Sequence, residues 1–323
     1  MSFFAILLAL VLEQARPLGP RNPVYLLMAQ WTDWVARTLD AGVRHIAWAT
    51  WSMAVITPAA LALVLHALAE WGVGWFMAVL WNVALLYVTL GFRQFSHHFT
   101  TIREALDEGN ENQARELLAQ WQQVQVGEIA RSEIVRHVIE YSVIAAHRHV
   151  FGVFFWYAVL SVVGLGPVGA VVYRLAEYVS RRWARKAQTD GGLSTALAQV
   201  AQQAWQVLDW LPARATALGF AIVGSFEDAM DGWRHHAQKF PQDNDGVILA
   251  ATAGAINVQL GGARLGIRAE GDGQDLEETD AGASTPGRPA ELGHLASVVG
   301  LVWRSVIMWL VLVALLTMAN LLG

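Results

Sequence analysis

Four groups of residues in this chain have the types and spacing to do chemistry. The first is Arg174, Glu177 and Arg181. On a helix these three share one face, and Glu177 followed by Arg181 has the favourable i, i+4 order. Such a set reads as a phosphate or carboxylate site, or as an electrostatic anchor at a membrane interface. The second group is Asp209 and Arg214, which flank the apolar patch of Asp209-Trp-Leu-Pro-Ala-Arg214. An ionisable residue near a membrane segment is a functional candidate by default. The structural alternative has Asp209 capping a helix that starts at Pro212 while Arg214 snorkels.

The third group is Glu133, His137, Glu140 and His147, which fall along one helix face. Carboxylates and neutral imidazoles on such a face can bind a divalent cation or a polar substrate, with Glu140 and His147 as the metal candidates. The alternative is a polar face with Glu133–His137 as a local pair, an ordinary surface feature. His147 and His149 are too close in sequence to point the same way on a helix, so they are not a chelating pair. The fourth is Gly261-Gly262, a phosphate cradle or a helix terminator. No G-x-x-x-x-G-K-[ST], H-E-x-x-H or G-x-S-x-G motif occurs, and the absence of Cys excludes disulfides, thiol nucleophiles and thiolate metal sites.

The elements that position these residues follow from composition. The chain has 323 residues, 55% hydrophobic and 15% charged, with 15 Trp. Soluble domains carry roughly 25% charged residues, so this balance points to an all-α integral membrane protein. The formal net charge is −5 and much of the acid sits in one late loop, which argues against nucleic acid as a partner. The N-terminus lacks the basic region of a cleaved signal peptide, so Met1–Leu12 is expected to stay.

Phe3–Leu12 is too short to span and reads as a half-buried helix before a turn punctuated by Pro17, Pro20 and Pro23. Ile46–Leu68 and Gly72–Phe92 read as an antiparallel pair of spans. Arg37 and Arg44 precede the pair and Arg93 follows it, which places both flanks in the cytoplasm. Residues 93–149 form a polar subdomain with helices over Phe92–Leu106 and Asn110–Gln122; Ala114, Leu117, Leu118 and Trp121 share a face of the second.

Arg131–Lys186 organises the rest: a polar helix climbs into an apolar run, breaks at Gly164-Leu-Gly-Pro167, resumes, and ends in the basic Arg181-Arg-Trp-Ala-Arg-Lys186. We read it as a re-entrant hairpin, with one kinked span as the alternative. Leu193–Leu208 is amphipathic, a new helix starts at Pro212 and runs to Val223, and Pro241–Gly246 is a loop. Val247–Leu260 is a helix ending at Gly261-Gly262. Ala269–Pro289 is acidic, rich in Gly and Ser, and expected to be disordered. Leu301–Leu322 is the last span. The domains expected are 1–92, 93–149, 150–262, 263–298 and 299–323, in a multi-pass membrane protein.

Several stretches together resemble the CobD/CbiB family of cobalamin-biosynthesis membrane proteins and its relative AmpE. Val11-Leu-Glu13 is similar to the family's V-L-D, and Asn22-Pro23-Val24 to its H-P-V. Asp209-Trp-Leu-Pro-Ala-Arg214 resembles N-Y-L-P-A-R, Gly232-Trp-Arg234 resembles G-W-R, and Asn257-Val-Gln-Leu-Gly-Gly262 resembles G-I-Q-L-G-G. These fall in the family's order up to Gly262.

The resemblance implies attachment of aminopropanol, or its phosphate, to a propionate of adenosylcobyric acid. The product would be adenosylcobinamide or its phosphate. It implies a corrinoid substrate, ATP and Mg²⁺, and chemistry of this kind wants acids for the metal and cations for phosphate. On that reading Glu177 and Asp209 are the catalytic candidates. Arg93, Arg214, Arg234, Gln259, Gly261 and Gly262 are the substrate- or phosphate-binding ones.

The chain also departs from the family pattern. Ile144-Ala-Ala-His-Arg-His149 stands where the family has E-N-T-x-D-G, Arg174-Leu-Ala-Glu177 where it has N-T-L-D, and Val124-Gln-Val-Gly127 where it has G-R-D-T. AmpE-like proteins share such losses and look like membrane regulators, which keeps a non-catalytic alternative open. The expected partners are the lipid bilayer, the corrinoid if the protein is an enzyme, and other membrane proteins or a second copy.

The basic Arg181–Lys186 stretch generates a topology test. A reporter fused after Lys186 is expected to signal the cytoplasm. A periplasmic signal would replace the re-entrant hairpin with a single kinked span.

Overall fold

The computed structural model describes residues 2–16, 18–19, 22–122, 129–189, 192–262 and 284–322, with the backbone alone at 2, 92–95, 189 and 320–322. In chain order the first helices are α1 (Ser2–Ala15), α2 (Pro23–Leu39), α3 (Arg44–Gly72), α4 (Trp75–Thr89), α5 (Phe92–Asp107) and α6 (Glu111–Gln122). Next comes α7 (Arg131–Ala146), which passes through a π-helical turn (His147–Phe151) into α8 (Gly152–Ser161). The chain continues with α9 (Gly166–Thr189), α10 (Thr195–Val223), α11 (Phe226–His236), α12 (Asp243–Ile256) and α13 (Leu292–Leu322).

The fold class is all-α, that of a polytopic helical membrane protein. Among the described residues three helical runs are long and apolar enough to cross a membrane: Arg44–Gly72, Arg131–Ser161 and Leu292–Ala319. The expected second span is shorter than it reads in sequence. Gly74, with φ 106°, opens α4, and the helix has 15 residues. At 1.5 Å per residue that is about 22 Å, short of the roughly 30 Å hydrocarbon core. The α3–α4 pairing itself is as expected: Trp81 Nε1 donates to the Ala62 carbonyl at 3.0 Å.

The chain forms two compact units: residues 1–93, 148–212 and 309–323, and residues 94–147 and 213–308. In the first, α1 buries Ala5, Ile6, Ala9 and Leu10 and leaves Phe4, Leu8, Val11 and Leu12 exposed, the half-buried helix expected. Helix α2 was not assigned from sequence. Asn22 starts it by accepting from the Val24 N–H at 2.9 Å, and Pro23 sits in its first turn, where a missing N–H does no harm. Helices α8 and α9 pack as a hairpin about the turn at Val162–Leu165, where Gly164 takes φ 78°. Gly169 lets the two backbones meet: a Cβ there would lie 2.3 Å from the Trp156 carbonyl oxygen.

Two prolines lie inside helices, Pro58 in α3 and Pro212 in α10. Pro212 therefore does not start a new helix: α10 is continuous from Thr195 to Val223, and Asp209 lies inside it rather than capping. An interior proline deprives the carbonyl four residues earlier of its donor. Those carbonyls are Ala54 and Leu208. Trp31 Nε1 donates to the Ala54 carbonyl and Trp156 Nε1 to the Leu208 carbonyl, both at 3.1 Å. Each orphaned acceptor is thus supplied by an indole from a neighbouring helix, as an apolar environment requires.

At the basic end of α9, Asp33 of α2 accepts from Arg182 Nε and Nη2, both at 2.7 Å, while Lys186 Nζ lies 2.8 Å away. The Arg182 hydrogen bonds, reinforced by Lys186 and outweighing burial, hold the Asp33 carboxyl at about 2. Asp40 caps the other approach, accepting from the Ser194 N–H at 2.7 Å and its hydroxyl at 2.6 Å.

The second unit buries one apolar stripe of α6, with Ala114 and Leu118 fully enclosed. Helices α11 and α12 approach closely because Gly232 and Gly254 lack side chains: Cβ atoms there would lie 2.5 Å from Ala250 O and 2.1 Å from Asp228 O. Helix α12 starts at Asp243, so the expected loop at 241–246 is shorter. It ends at Asn257 in the left-handed conformation (φ 51°, ψ 52°), not at Gly261-Gly262. Of the expected disordered loop, residues 263–283 lie outside the described residues. Its remainder is ordered: Thr285 N donates to Leu260 O and Gln259 N to Arg288 O, both at 2.7 Å.

Two outcomes follow. Trp156→Phe leaves the Leu208 carbonyl without its indole donor and should lower stability by about 1–3 kcal/mol. In a Pro212→Ala background, where residue 212 regains an N–H, the same change should cost much less; chemical denaturation of the four proteins gives the coupling. Asp33 has a depressed folded-state pKa, so its stabilisation is fully present above the unfolded value near 4 and is lost as pH falls toward 2. Unfolding followed from pH 6 to pH 2 should show that loss, and Asp33→Asn should remove this part of it.

Candidate functional site

The first unit holds a buried polar cluster. Its centre is α9, where Tyr173, Arg174, Glu177 and Arg181 follow one face at i, i+1, i+4 and i+8. Glu177 is 1% exposed. Arg174 Nη1 donates to its Oε2 at 2.7 Å, and Arg181 Nε pairs with its Oε1. A buried carboxylate is tolerable only when paired in this way. Arg148 and His149, from the π turn, lie within electrostatic reach of Glu177.

Asp209 of α10 is fully buried and accepts from the Tyr173 hydroxyl at 2.8 Å. The Tyr173 ring lies 5.0 Å from that of Trp205, and the Arg148 guanidinium sits 6.0 Å over the same indole. Two glycines make the space. A Cβ at Gly152 would lie 2.1 Å from the Tyr173 ring, and one at Gly91 would lie 2.6 Å from His149 Nδ1. His149 Nδ1 is buried without a hydrogen-bond partner among the described residues. The cluster therefore combines two buried carboxylates with three guanidiniums, a phenol and an imidazole. Its excess of positive charge suits an anionic group, and the Tyr173–Asp209 pair can hold or pass a proton.

The remaining candidates divide between other places. Arg93 lies in α5 and its side chain is outside the described residues. The others belong to the second unit. Glu140 Oε1 accepts from the Gly261 N–H at 2.7 Å and from Arg136 Nη1 at 3.1 Å, and its Oε2 lies 3.3 Å from His137 Nδ1. The expected Glu133–His137 pair is replaced by Arg136, which bonds Glu133 and Glu140 together. The Gly261 N–H, a candidate phosphate donor, is thus engaged by a carboxylate. Gly261 and Gly262 take φ 85° and 96°, which explains why both are glycine.

Gln259 Nε2 donates to Ser284 Oγ at 2.6 Å, and Arg214 Nη1 to Asn244 Oδ1 at 3.1 Å. Arg234 is on the exposed face of α11. His147 opens the π turn, and its Nδ1 lies 2.9 Å from Thr216 Oγ1 rather than beside Glu140.

Mg²⁺, which the resemblance implies, does not fit the donors as arranged. Both Glu177 oxygens already face guanidiniums, and Glu140 and His147 have protein partners. Among the described residues no group of three or more His, Asp or Glu side chains is disposed to hold a metal ion. Sequence reasoning had missed Tyr173, Arg148 and His149 as members of the cluster. Tyr173 reads as part of an apolar run, and nothing local pairs it with a residue in another helix. Arg148 and His149 reach the cluster from the π turn, which is visible only in the structure, and such turns recur at functional sites.

Comparison with known proteins gives consistent results. A cobalamin biosynthesis protein CobD of Chromobacterium violaceum is 33% identical over 216 residues, 66% of this chain and 66% of the relative. A protein of the same name from Stutzerimonas stutzeri is 28% identical over 260 residues, 80% of this chain and 78% of the relative. One from Leptospira interrogans is 26% identical over 198 residues, 59% of each chain. The chain thus spans just under two thirds of the first relative's length. No solved structure matches. The family model described as CobD/Cbib protein matches residues 3–286, nearly the whole of the described fold, and the chain belongs to that family.

Proposed function

We propose that this chain acts in cobalamin biosynthesis at the step its family resemblance implies: attachment of aminopropanol, or its phosphate, to a propionate of adenosylcobyric acid, at the bacterial inner membrane. The observation that carries the reading is the cluster in the first unit of buried Glu177, Asp209, Tyr173 and Arg174 with the less buried Arg148 and Arg181. Both reacting groups, a carboxylate and an amine bearing an alcohol or a phosphate, need anion binding and proton transfer. Glu177 takes one N–H from Arg174 and is ion-paired with Arg181, and a guanidinium carries five donors. Glu177 therefore positions these arginines, and Arg181, whose side chain is 42% exposed, offers the anion contact. Tyr173 and Asp209 form the proton-handling pair beside it.

When bound, ATP would activate the substrate carboxylate. Glu177 does not fit Mg²⁺, because both of its oxygens face guanidiniums. In the second unit, Gln259 and the Gly261-Gly262 turn are a secondary binding surface, with Glu140 setting the turn's shape. Arg93, Arg214 and Arg234 are proposed as further anion contacts.

The test is turnover by purified protein supplied with adenosylcobyric acid, aminopropanol phosphate, ATP and Mg²⁺, with product read by mass spectrometry. Wild type should form the amide. Asp209→Asn and Tyr173→Phe should lower the rate by about 10²–10⁴-fold while the protein stays folded, the range expected on losing a proton-transfer group. Glu177→Gln unpairs the buried Arg174 and the half-exposed Arg181, so its effect on activity is read only where gel filtration shows a monodisperse protein. Folded wild-type protein that makes no product would favour the non-catalytic, AmpE-like reading. Turnover untouched in both Asp209→Asn and Tyr173→Phe would remove this cluster as the site.

A further inference from the structure

The first unit carries a basic surface that the cluster around Glu177 does not use. It lies where the C-terminal parts of α2 and α9 come together. A cleft of about 130 Å³ there is lined by Asp33, Ala36 and Arg37 of α2, Lys186 of α9, and Gly192 and Leu193. Both cations reach solvent: the Arg37 side chain is 74% exposed and that of Lys186 30%.

The Asp33 carboxylate does not cancel this charge. Arg182 donates to both of its oxygens at 2.7 Å, and Lys186 Nζ lies 2.8 Å from Oδ2. With both oxygens engaged, Arg37 Nη2 stands 3.8 Å away, beyond hydrogen-bond distance. Three cations around one carboxylate leave a positive excess, and the exposed Arg185 of the same turn adds to it. Asp40, the other acid of this region among the described residues, is taken up by the Ser194 N–H and hydroxyl. Asp190 lies outside the described residues. The Arg37 guanidinium and the remaining N–H groups of Lys186 are therefore donors for an anion.

The outer face of α2 indicates what brings the anion. Thr32, Asp33, Val35 and Ala36 turn inward, while Leu27 is 64% exposed and Trp34 52%. Leu27, Trp34 and Arg37 follow one outer stripe at i, i+7 and i+10, so the helix presents an aliphatic side chain, then an indole, then a guanidinium. Helix α3 packs antiparallel to it: Trp31 Nε1 donates to the Ala54 carbonyl at 3.1 Å and Thr50 Oγ1 to the Leu39 carbonyl at 3.2 Å. Because α3 is long and apolar enough to cross a membrane from Arg44, Arg37 stands level with the end of a span. Acyl chain, interface and headgroup follow one another in the same order. We propose that this cleft binds the phosphate of an anionic phospholipid. Basic residues gathered at the end of a span attract such lipids. Phosphatidylcholine carries the phosphate with a compensating positive charge, and free phosphate shares the chemistry without the acyl chains.

The experiment separates the sources. Full-length protein is purified in detergent, and lipid retention is read by native mass spectrometry with phosphatidylglycerol and phosphatidylcholine offered at equal concentration. In parallel, the thermal midpoint is measured in sodium phosphate and in sodium chloride at equal ionic strength. Each basic residue near an anionic headgroup contributes about fivefold in affinity, so a phosphatidylglycerol preference of roughly tenfold or more is expected. It should fall about fivefold in Arg37→Gln and further in the double variant Arg37→Gln with Lys186→Gln. Arg37 is largely exposed, and Arg182 keeps both of its bonds to Asp33 when Lys186 is replaced, so both variants should fold. Arg103→Gln, which removes a half-exposed arginine of the second unit, should leave the preference unchanged. Equal retention of the two lipids overturns the proposal, as does a preference that survives the double variant or falls as far in Arg103→Gln. A midpoint raised by phosphate over chloride, without lipid preference, makes free phosphate the occupant and overturns the lipid assignment.

Discussion

An apolar helix has no water to satisfy a carbonyl that proline has orphaned, and this constraint shapes the first unit. Pro58 and Pro212 each free one acceptor, and each is met by an indole N–H from outside its own helix. Trp31 ties α2 to α3 in this way, and Trp156 ties α8 to α10. The second tie matters most for the site, because α8 and α10 carry the groups that flank α9. With Leu208 satisfied, α10 runs on as a helix past the proline, and Asp209 stays on its inner face.

Glycine sets the second condition. The polar cluster needs bulky groups close to neighbouring backbones, and Gly152 and Gly91 lack the Cβ atoms that would collide with Tyr173 and His149. In the second unit Gly232 and Gly254 play the same part for two whole helices, so that α11 and α12 lie backbone to backbone. The glycine of the Gly232-Trp-Arg234 motif therefore has a packing reason, apart from any contact with substrate. Asn257 has a different one: it turns the chain out of α12 so that Val258–Leu260 can pair with the returning segment at 285–288.

Electrostatics complete the site. A lone buried carboxylate at Glu177 would be intolerable, and two arginines on the same helix face neutralise it. The arginines in turn are held in fixed positions, which is what an anion-binding group needs. The π turn adds Arg148 and His149 to this region, and the resulting donor set suits anions and does not fit a metal ion.

The sequence by itself determined the class and the rhythm of the chain. Low charge and long apolar runs required helices, Gly164-Leu-Gly-Pro167 broke one of them into a hairpin, and the ordered short motifs carried the family. It also placed Arg174, Glu177 and Arg181 on one face, because i, i+3 and i+4 relations are local. Tertiary structure decided what spacing cannot encode. Pro212 read as a helix start because propensity alone forbids it inside a helix, and only a tryptophan far away in sequence makes the interior position tolerable. The alternative reading of Asp209 as a cap depended on the same helix start, and it falls because Asp209 lies inside α10 with Tyr173 of another helix as its partner. Gly261-Gly262 read as a terminator, yet Asn257 ended α12 first and Glu140 took the Gly261 N–H. In each case the outcome rests on a hydrogen bond between residues distant in the chain, and such a bond leaves no period or motif in the sequence to read.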